Sequence, residues 1–295
     1  NMPKMAKLSQ LSDITVEGVE NAIVVAPGPS LEKNIHILRD HQEQFFITAP
    51  LRAAGVLERY GVRPDLLFQI DALSNSEAAH FRKNMPKNIE NLVLEGSVNP
   101  VFFELETKNI AWTVIQNING FHELFKSKPT PFRAPSVAMY AACYCYQLGF
   151  KSICLLGQDL ATDGRTLYAN GATKYLAPGG SLKGFDISVP GFWGETVMTR
   201  DDFAYYLEQY AMLTKQWKLD KPELKLANCT EGGAFIEGFD HGKFADYLNQ
   251  VSVDGQLKQK TVRFIKGCPN FEVEAKNYVT KLRLQLDSAD SLAKK

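Results

Sequence analysis

The chain has 295 residues, of which 45% are hydrophobic, and its 33 basic residues balance 33 acidic ones. This length suffices for a large α/β core with additions, or for one large and one small domain. Because the net charge is zero, no overall field favours nucleic acid or an anionic membrane, so any anion site must be local. The sequence shows no signal peptide and no run of about eighteen apolar residues, so we expect no membrane span.

The cysteine pattern indicates the redox environment. The five cysteines are odd in number and include no CxxC pair: Cys143, Cys145, Cys154, Cys229 and Cys268. This pattern predicts neither a disulfide framework nor a zinc site. It is typical of a protein in the reducing cytoplasm.

The first strong pattern is a strand followed by a tight turn and a helix start. The apolar run Ala22 to Ala26 has the length and composition of a strand buried on both faces of a parallel sheet. After the turn Pro27-Gly28-Pro29, Ser30 is predicted to be the N-cap of a helix. Leu31, Ile35 and Leu38 would form the apolar face of that helix. A helix at this place directs N–H groups toward the ligand crevice, which predicts a bound anion such as a nucleotide phosphate.

The same corner has other interpretations. It can be a plain strand-to-helix turn in which Ser30 serves only as a cap. A dinucleotide site is disfavoured because the turn lacks the three-glycine spacing, and Thr48 stands where an acidic residue would bind a ribose. A P-loop is disfavoured because no Gly-Lys-Ser/Thr follows.

Strand and helix patterns then alternate along the chain. Further strands are predicted at 45–48, 66–71, 91–94, 110–115, 152–156 and 224–227, and helices at 51–60, 136–148 and 271–286. This alternation predicts an α/β fold, a Rossmann-like and mostly parallel sheet flanked by helices.

Composition divides the chain into three parts. Residues 1–20, which begin with Asn1 before Met2, are predicted to be an extension or a tag remnant. Residues 21–239 would form the α/β domain, and residues 240–295 a helical C-terminal extension. Within the domain, the glycine-rich segment 161–198 is long and aromatic, which predicts a lid over the site.

Polar residues at the predicted carboxyl edge of the sheet are the candidates for chemistry. Asp71 ends the third strand, and Gln158 and Asp159 follow the strand that ends at residue 156. Ser136 can cap a helix or donate to a phosphate, and Thr199 with Asp202 resembles a capping pair. Each of these residues could also be only a cap or a turn former.

Motifs of several other enzyme classes are absent. The sequence contains no Asp-x-Asp, HExxH or Gly-x-Ser-x-Gly, so metal-dependent glycosyl transfer, zinc hydrolysis and serine hydrolysis lack their usual signals. We interpret all five histidines as surface residues: His36, His41, His80, His122 and His241. No metal ligand is predicted, and chemistry that needs only positioning and charge stabilisation stays open.

An ordered set of segments resembles one known family. The segments are Ala26-Pro27-Gly28-Pro29-Ser30-Leu31, Arg63-Pro64-Asp65 leading to Asp71, Pro135-Ser136-Val137-Ala138, Leu156-Gly157-Gln158-Asp159-Leu160-Ala161, Val197-Met198-Thr199 and Thr230-Glu231-Gly232-Gly233-Ala234. Together they look like the motility-associated factor (Maf) family of flagellin glycosyltransferases, over residues 21–239. The resemblance implies a fold similar to that of bacterial sialyltransferases. It also implies cytoplasmic transfer of a nonulosonic acid, of the pseudaminic or legionaminic type, from a CMP-activated donor to Ser or Thr of flagellin.

The resemblance also assigns residues. It implies that Gly28, Pro29 and Ser30 line the nucleotide and that Ser136, Gln158 and Asp159 border the donor sugar and phosphate. The full set of residues that we predict to bind the donor is Pro27, Gly28, Pro29, Ser30, Thr48, Asp71, Ser136, Gln158 and Thr199. Asp159 is the candidate catalytic residue. Many relatives carry a histidine shortly after the Gly-x-Asp segment, whereas this chain has Thr166-Leu167-Tyr168-Ala169, so Tyr168 is a second catalytic candidate.

Two other functions stay open. The resemblance extends to archaeal hydroxymethylpterin pyrophosphokinases, which would use ATP and magnesium with acidic ligands such as Asp71 and Asp159. A non-catalytic domain that binds flagellin or a nucleotide sugar is the third hypothesis. We expect that no cofactor is required beyond the CMP-sugar donor, and the need for a divalent cation stays open.

Overall fold

The structure is a computed structural model that describes most of the chain. The described residues are 5, 8–83, 85–87, 89–114, 134–162, 166–172, 184–251 and 259–265, with positions 277, 280, 283 and 284. Within these ranges no helix has the length and apolar character that crossing a membrane requires.

Thirteen strands lie within the described ranges. In chain order they are β1 (Ser9–Gln10), β2 (Ile14–Glu17), β3 (Asn21–Val25), β4 (Phe46–Pro50), β5 (Leu66–Gln69), β6 (Ile89–Glu95), β7 (Thr107–Thr113), β8 (Ser152–Leu156), β9 (Ile187–Pro190), β10 (Thr196–Thr199), β11 (Lys225–Asn228), β12 (Asp240–His241) and β13 (Thr261–Phe264). Nine of them form one sheet in the order β1-β7-β6-β5-β4-β3-β8-β11-β12, and every pairing in it is parallel.

Helices cover both faces of this sheet. The α-helices of the described ranges are α1 (Ile35–His41), α2 (Ala54–Tyr60), α3 (Asn75–Lys83), α4 (Val137–Leu148), α5 (Asp201–Asp220) and α6 (Phe244–Gln250). The first three and α6 pack into one hydrophobic core, and α4 and α5 pack into a second core on the opposite face. The predicted α/β fold with a parallel sheet flanked by helices is therefore confirmed.

The sequence of β3 shows why the sheet has two cores. Ile23 and Val25 belong to one core, while Ala22 and Val24 belong to the other, and all four are fully buried. Successive side chains of a strand point to opposite faces, so an uninterrupted apolar run serves both. This explains why the run contains no polar residue.

The strand order places a topological switch point beside β3. From β3 the chain adds β4, β5, β6 and β7 successively on one side, and then returns to add β8 on the other side of β3. Crossovers on either side of such a point leave a crevice at the carboxyl ends of the two strands. The segments after β3 and β8 therefore meet at the place where open α/β sheets bind ligands.

The two ends of the chain depart from the simple expectation. Within the range predicted to be an extension, β1 joins the main sheet beside β7, and β2 pairs with β13 in antiparallel fashion. The predicted helix at 271–286 lies mostly outside the described residues, and its described positions are helical. The division into three parts stays a prediction.

Candidate functional site

The turns after β3 and β8 are joined backbone to backbone. Ala26 N–H donates to the Leu156 carbonyl at 2.8 Å, and Gly28 N–H donates to the Gly157 carbonyl at 2.9 Å. Gly157 has a φ of +67°, and a Cβ there would overlap the carbonyl oxygen of Ala26. Glycine is required at this position by both the conformation and the close approach.

A carboxylate occupies the corner that the sequence predicts for a phosphate. Ser30 N–H lies 3.2 and 3.3 Å from the two carboxylate oxygens of Asp159. A Cβ on Gly28 would lie 2.8 Å from Cγ of that carboxyl group and closer still to one of its oxygens. Asp159 is 6% exposed, so the anion that faces the N–H groups at this helix start is a side chain of the protein and not a bound phosphate.

The predicted N-cap role of Ser30 is wrong. The turn enters a 3₁₀ helix at Pro29–Lys33 whose N-cap is Gly28, with no side-chain cap, and Ser30 lies inside that helix. Its hydroxyl faces Gly232, where a Cβ would overlap it. The Gly-Pro turn starts the helix two residues earlier than the cap pattern predicts, because proline suits the first helical position.

A cleft of about 240 Å³ opens beside this corner. Seven of the predicted site residues line it: Pro27, Gly28, Asp71, Ser136, Gln158, Asp159 and Tyr168. The structure therefore brings together residues from the ends of β3, β5 and β8 and from the start of α4, as the predicted carboxyl-edge crevice requires.

Four predicted donor-binding residues do not line the cleft: Pro29, Ser30, Thr48 and Thr199. Thr48 is fully buried within β4. Thr199 is also fully buried, and its hydroxyl donates to the Leu160 carbonyl at 2.7 Å. The predicted capping pair is wrong as well, because Arg200 is the N-cap of α5 and makes no side-chain cap bond. Thr199 instead supports Leu160, whose φ is +46°.

Ser136 is the N-cap of α4, as predicted. Its hydroxyl accepts a hydrogen bond from Met139 N–H at 3.2 Å. The helix that it caps has 12 residues, and Ser136, Val137 and Ala138 all line the cleft. The positive end of this helix dipole therefore lies at the cleft wall.

Gln158 presents an unpaired acceptor. Its backbone N–H donates to the Thr230 hydroxyl at 3.0 Å, which fixes the main chain. The residue lines the cleft and is 5% exposed, and its buried Oε1 has no hydrogen-bond partner among the residues that the structure describes. A buried acceptor without a donor is unfavourable unless a ligand or water supplies one.

Arg52 and Asp71 form the wall at the ends of β4 and β5. The Arg52 guanidinium carbon lies 5.3 Å from the ring centroid of Tyr168 and 5.8 Å from that of Phe81. Asp71 is exposed at the cleft rim, yet partial desolvation by the surrounding protein raises the pKa of its carboxyl group, and the positive charge of Arg52 opposes part of that rise. Arg52 was not predicted as a site residue, although its place in the first turn of the helix predicted at 51–60, which follows a strand, was a usable signal.

The first turn of α5 forms the opposite wall. Arg200 pairs with Asp202, with Nε and Oδ1 2.6 Å apart, and its guanidinium carbon lies 4.3 Å from the Phe203 ring centroid. Tyr206 is half-buried, and burial raises its pKa, with a further rise from the nearby charges of Asp202 and Asp71. Arg200, Phe203 and Tyr206 were not predicted as site residues, although Thr199, directly before α5, was assigned to the donor.

The Thr230–Ala234 segment supports Asp159 from behind. Ala234 N–H donates to the Asp159 carbonyl at 2.7 Å. Gly233 has a φ of +75°, and a Cβ there would come within 2.4 Å of Asp159 Cα. This close packing explains why a Gly-Gly pair is found in the segment.

Part of the predicted lid packs on the domain. Ala169 N–H donates to the Pro27 carbonyl at 2.9 Å, and Ala169 and Ala172 are buried in the core. Thr162 and Met198 form an isolated antiparallel β-bridge, and β9 pairs with β10 in an antiparallel hairpin. Residues 163–165 and 173–183 lie outside the described residues, so the lid as a whole stays a prediction.

The acidic residues of the cleft bear on the question of a metal ion. They contain no group of three or more His, Cys, Asp or Glu side chains placed to hold an ion. Asp71 and Asp159, which would be acidic ligands in the pyrophosphokinase hypothesis, both line the cleft.

Comparison with known proteins shows the family. The model of the "6-hydroxymethylpterin diphosphokinase MptE-like" family matches residues 1–165, more than half of the chain. The chain belongs to the MptE-like family. Its matched part includes the Gly28 turn, Ser136 and Asp159. No protein of curated function matches this MptE-like chain.

A solved structure shares its fold. The Maf glycosyltransferase from Magnetospirillum magneticum AMB-1 matches with a TM-score of 0.59 and 17% sequence identity. The match covers 95% of this chain and 40% of that protein, so the MptE-like chain spans less than half of its length. The predicted resemblance to the Maf fold is confirmed.

Proposed function

We propose that the chain is a glycosyltransferase that moves a nonulosonic acid, of the pseudaminic or legionaminic type, from a CMP-activated donor to Ser or Thr of flagellin. The observation that carries the proposal is a buried, fixed carboxylate, Asp159, at the switch-point cleft of a Maf-like fold. The Maf likeness runs along 95% of the chain, well beyond the 165 residues that the MptE-like family model matches.

The chemistry assigned to Asp159 follows from its place. In the transfer, the acceptor hydroxyl oxygen forms a bond to the anomeric carbon while the bond from that carbon to the phosphate oxygen breaks. CMP leaves with the electron pair, and the hydroxyl proton needs an acceptor. A fixed carboxylate beside the reacting carbon can take this proton or stabilise the positive charge on the sugar ring. Tyr168, on the same cleft, is the alternative proton acceptor.

The donor carries two anionic groups, a phosphate and a sugar carboxylate, and the cleft offers matching groups. Among the described residues that line it, the cationic side chains are Arg52 and Arg200. The start of α4 at Ser136 adds a helix dipole. We assign anion binding to these groups, because Asp159 already fills the start of the Pro29–Lys33 helix.

The size of the cleft restricts how the donor binds. Its volume of about 240 Å³ is below the range of roughly 300–1,000 Å³ that is usual for ligand pockets. The described cleft therefore holds the phosphate and part of the sugar or nucleoside, and the full donor requires it to widen. We propose that segment 161–198 provides this opening in a cytoplasmic enzyme that needs no further cofactor.

The family description favours a second candidate, an ATP-dependent diphosphokinase. In that reaction Asp71 and Asp159 would hold the magnesium ion that accompanies ATP. The range that the family model matches, residues 1–165, contains both aspartates, and both line the cleft. A domain that binds flagellin or the nucleotide sugar without transfer is the third candidate.

Calorimetry with CMP, NAD, and ATP with magnesium separates the candidates by ligand. We expect CMP to bind more tightly than the other two. A transfer assay with a CMP-nonulosonate and a flagellin fragment, read by the mass of the fragment, then tests catalysis. Tighter binding of ATP with magnesium would overturn the proposal in favour of the diphosphokinase, and CMP binding without any mass increase would favour the binding domain.

A further inference from the structure

The outer face of α5 carries an apolar stripe. Tyr205, Met212 and Leu219 are 49%, 65% and 70% exposed, respectively, although large apolar side chains are usually covered. They are spaced seven residues apart, so they lie along one side of the helix. The inner face of the same helix is buried through Tyr210, Thr214 and Trp217, so the stripe has no role in packing α5 on its own sheet.

Two exposed charges of opposite sign lie on one flank of this stripe. Glu208 precedes Met212 by four residues, and Lys215 follows it by three. At 100° per residue, both are displaced from Met212 toward the same side, by about 40° and 60°. The five residues therefore form a pattern that is apolar along its centre and carries one acid and one base at nearly equal distances from its midpoint.

This pattern is complementary to itself in the antiparallel sense. We propose that α5 binds α5 of a second copy of this chain about a two-fold axis near Met212. Met212 then meets its own copy, and Tyr205 meets Leu219 of the other copy, each about 10.5 Å from the axis. Glu208 lies about 6 Å before the axis and Lys215 about 4.5 Å after it, so each acid comes level with the base of the other copy.

The charges select this arrangement over the parallel one. A parallel pair has its two-fold axis along the helices, so the charged flanks of the two copies lie on opposite sides of the interface and no Glu208–Lys215 pair forms. A two-fold axis makes every contact occur twice, so both ion pairs form in the antiparallel dimer. The stripe covers only two heptads, so we expect a weak dimer with a dissociation constant in the micromolar range or above.

Sedimentation of the full chain over a range of concentrations tests the association. E208K and K215E should each weaken dimerisation roughly tenfold, because each replaces two attractive pairs with two repulsive ones. The double variant E208K/K215E restores opposite charges across the axis and should dimerise like the parent. A monomer at every concentration, or a double variant as weak as the single ones, would overturn the proposal.

Disulfide trapping tests the axis itself. In a Cys268→Ser parent, where the described cysteines are all buried, Met212→Cys should form a covalent dimer under mild oxidation. Glu223→Cys, at an exposed position after α5, is the matched control and should stay monomeric. Equal trapping at both sites would show random collision and count against the two-fold axis. None of these measurements depends on the proposed enzymatic activity.

Discussion

The backbone N–H of Ser30 and the carboxylate of Asp159 are 3.2 Å apart, although 129 residues separate them in the chain. This contact joins the turns after β3 and β8 at the switch point of the sheet. A charged acceptor at a helix start stabilises both the helix and the carboxylate. It also means that the carboxylate is held in one position before any ligand arrives, which a catalytic group requires.

Asp159→Asn should reduce transfer to flagellin roughly a hundredfold or more, because the amide neither accepts a proton nor carries charge. CMP binding should change little. The amide oxygen can still accept the Ser30 N–H, so the fold should remain. Transfer rates and CMP titrations measure the two effects separately.

The matched control is Asp246→Asn, an exposed carboxylate in α6. It should leave both transfer and binding unchanged. Transfer by the Asp159 variant at near the parental rate would restrict Asp159 to a structural role and make Tyr168 the next base to test.

Gly28→Ala should destabilise the protein by about 1–3 kcal/mol, since the added methyl group overlaps the Asp159 carboxylate and the Gly157 carbonyl. Gly242→Ala adds the same methyl group where nothing lies within 4 Å, and it should cost far less. Urea unfolding of both variants gives the comparison. Equal stabilities would show that the turn relaxes freely, contrary to the close packing described above.

The strands of the switch point were predictable because burial on both faces leaves a strong local signal. The predicted strand at 152–156 matches β8 in full, and Gly149 ends α4 with a φ of +81° as expected. Asp71, Gln158 and Asp159 were placed at the cleft because parallel strands share a carboxyl edge. The topology rule needs only the strand positions, which the apolar runs provide.

The predictions that failed concern residues whose place is set by contacts between segments distant in sequence. Ser30 looked like an N-cap, but it lies inside its helix and its N–H donates to Asp159, a contact that no local pattern reveals. Thr48 was assigned by its distance from the first strand, although that distance places it inside β4. Arg200 reaches the cleft only because α5 packs beside it, and a helix in sequence carries no information on where it docks.

We expect Gln158 to accept a hydrogen bond from the ligand, because its buried Oε1 has no partner within the described part of the chain. Gln158→Leu should therefore weaken donor binding by roughly tenfold or more, from loss of one buried hydrogen bond. Gln158→Met, which keeps the side-chain length but also lacks the acceptor, should lose as much. Titrations with the CMP-sugar measure both, and equal affinity of the leucine variant and the parent would remove Gln158 from recognition.

Asp71 should make the protein less stable as pH rises. Its pKa is raised in the folded state, so between its ordinary value near 3.8 and the folded value the native protein binds more protons than the unfolded chain. Stability therefore falls as pH rises through this window. Asp71→Asn should be slightly more stable than the parent at pH 7, since solvent at this exposed residue screens the effect, and the gain should vanish at low pH. Unfolding in urea at several pH values tests this, and a variant that is less stable at pH 7 would show that the attraction to Arg52 exceeds the effect of desolvation.

His241 should make the protein more stable as pH rises. Its Nε2 accepts the Ile236 N–H at 3.1 Å, so its Nδ1 carries the proton and donates to the Phe239 carbonyl at 3.0 Å. Both bonds together require the neutral ring. Burial lowers the pKa of His241, while the Phe239 carbonyl and Asp240 oppose part of that shift.

Because the folded pKa lies below the ordinary value near 6.5, the unfolded chain binds more protons in the window between the two. The stability that the neutral ring contributes is therefore complete above pH 6.5 and decreases as pH falls through the folded pKa. His241→Gln should remove this part of the pH dependence between pH 7.5 and about 5. His36→Gln, at an exposed position on α1, should retain it. Urea unfolding at each pH measures the difference, and identical pH profiles for the two variants would show that His241 titrates as it does in the unfolded chain.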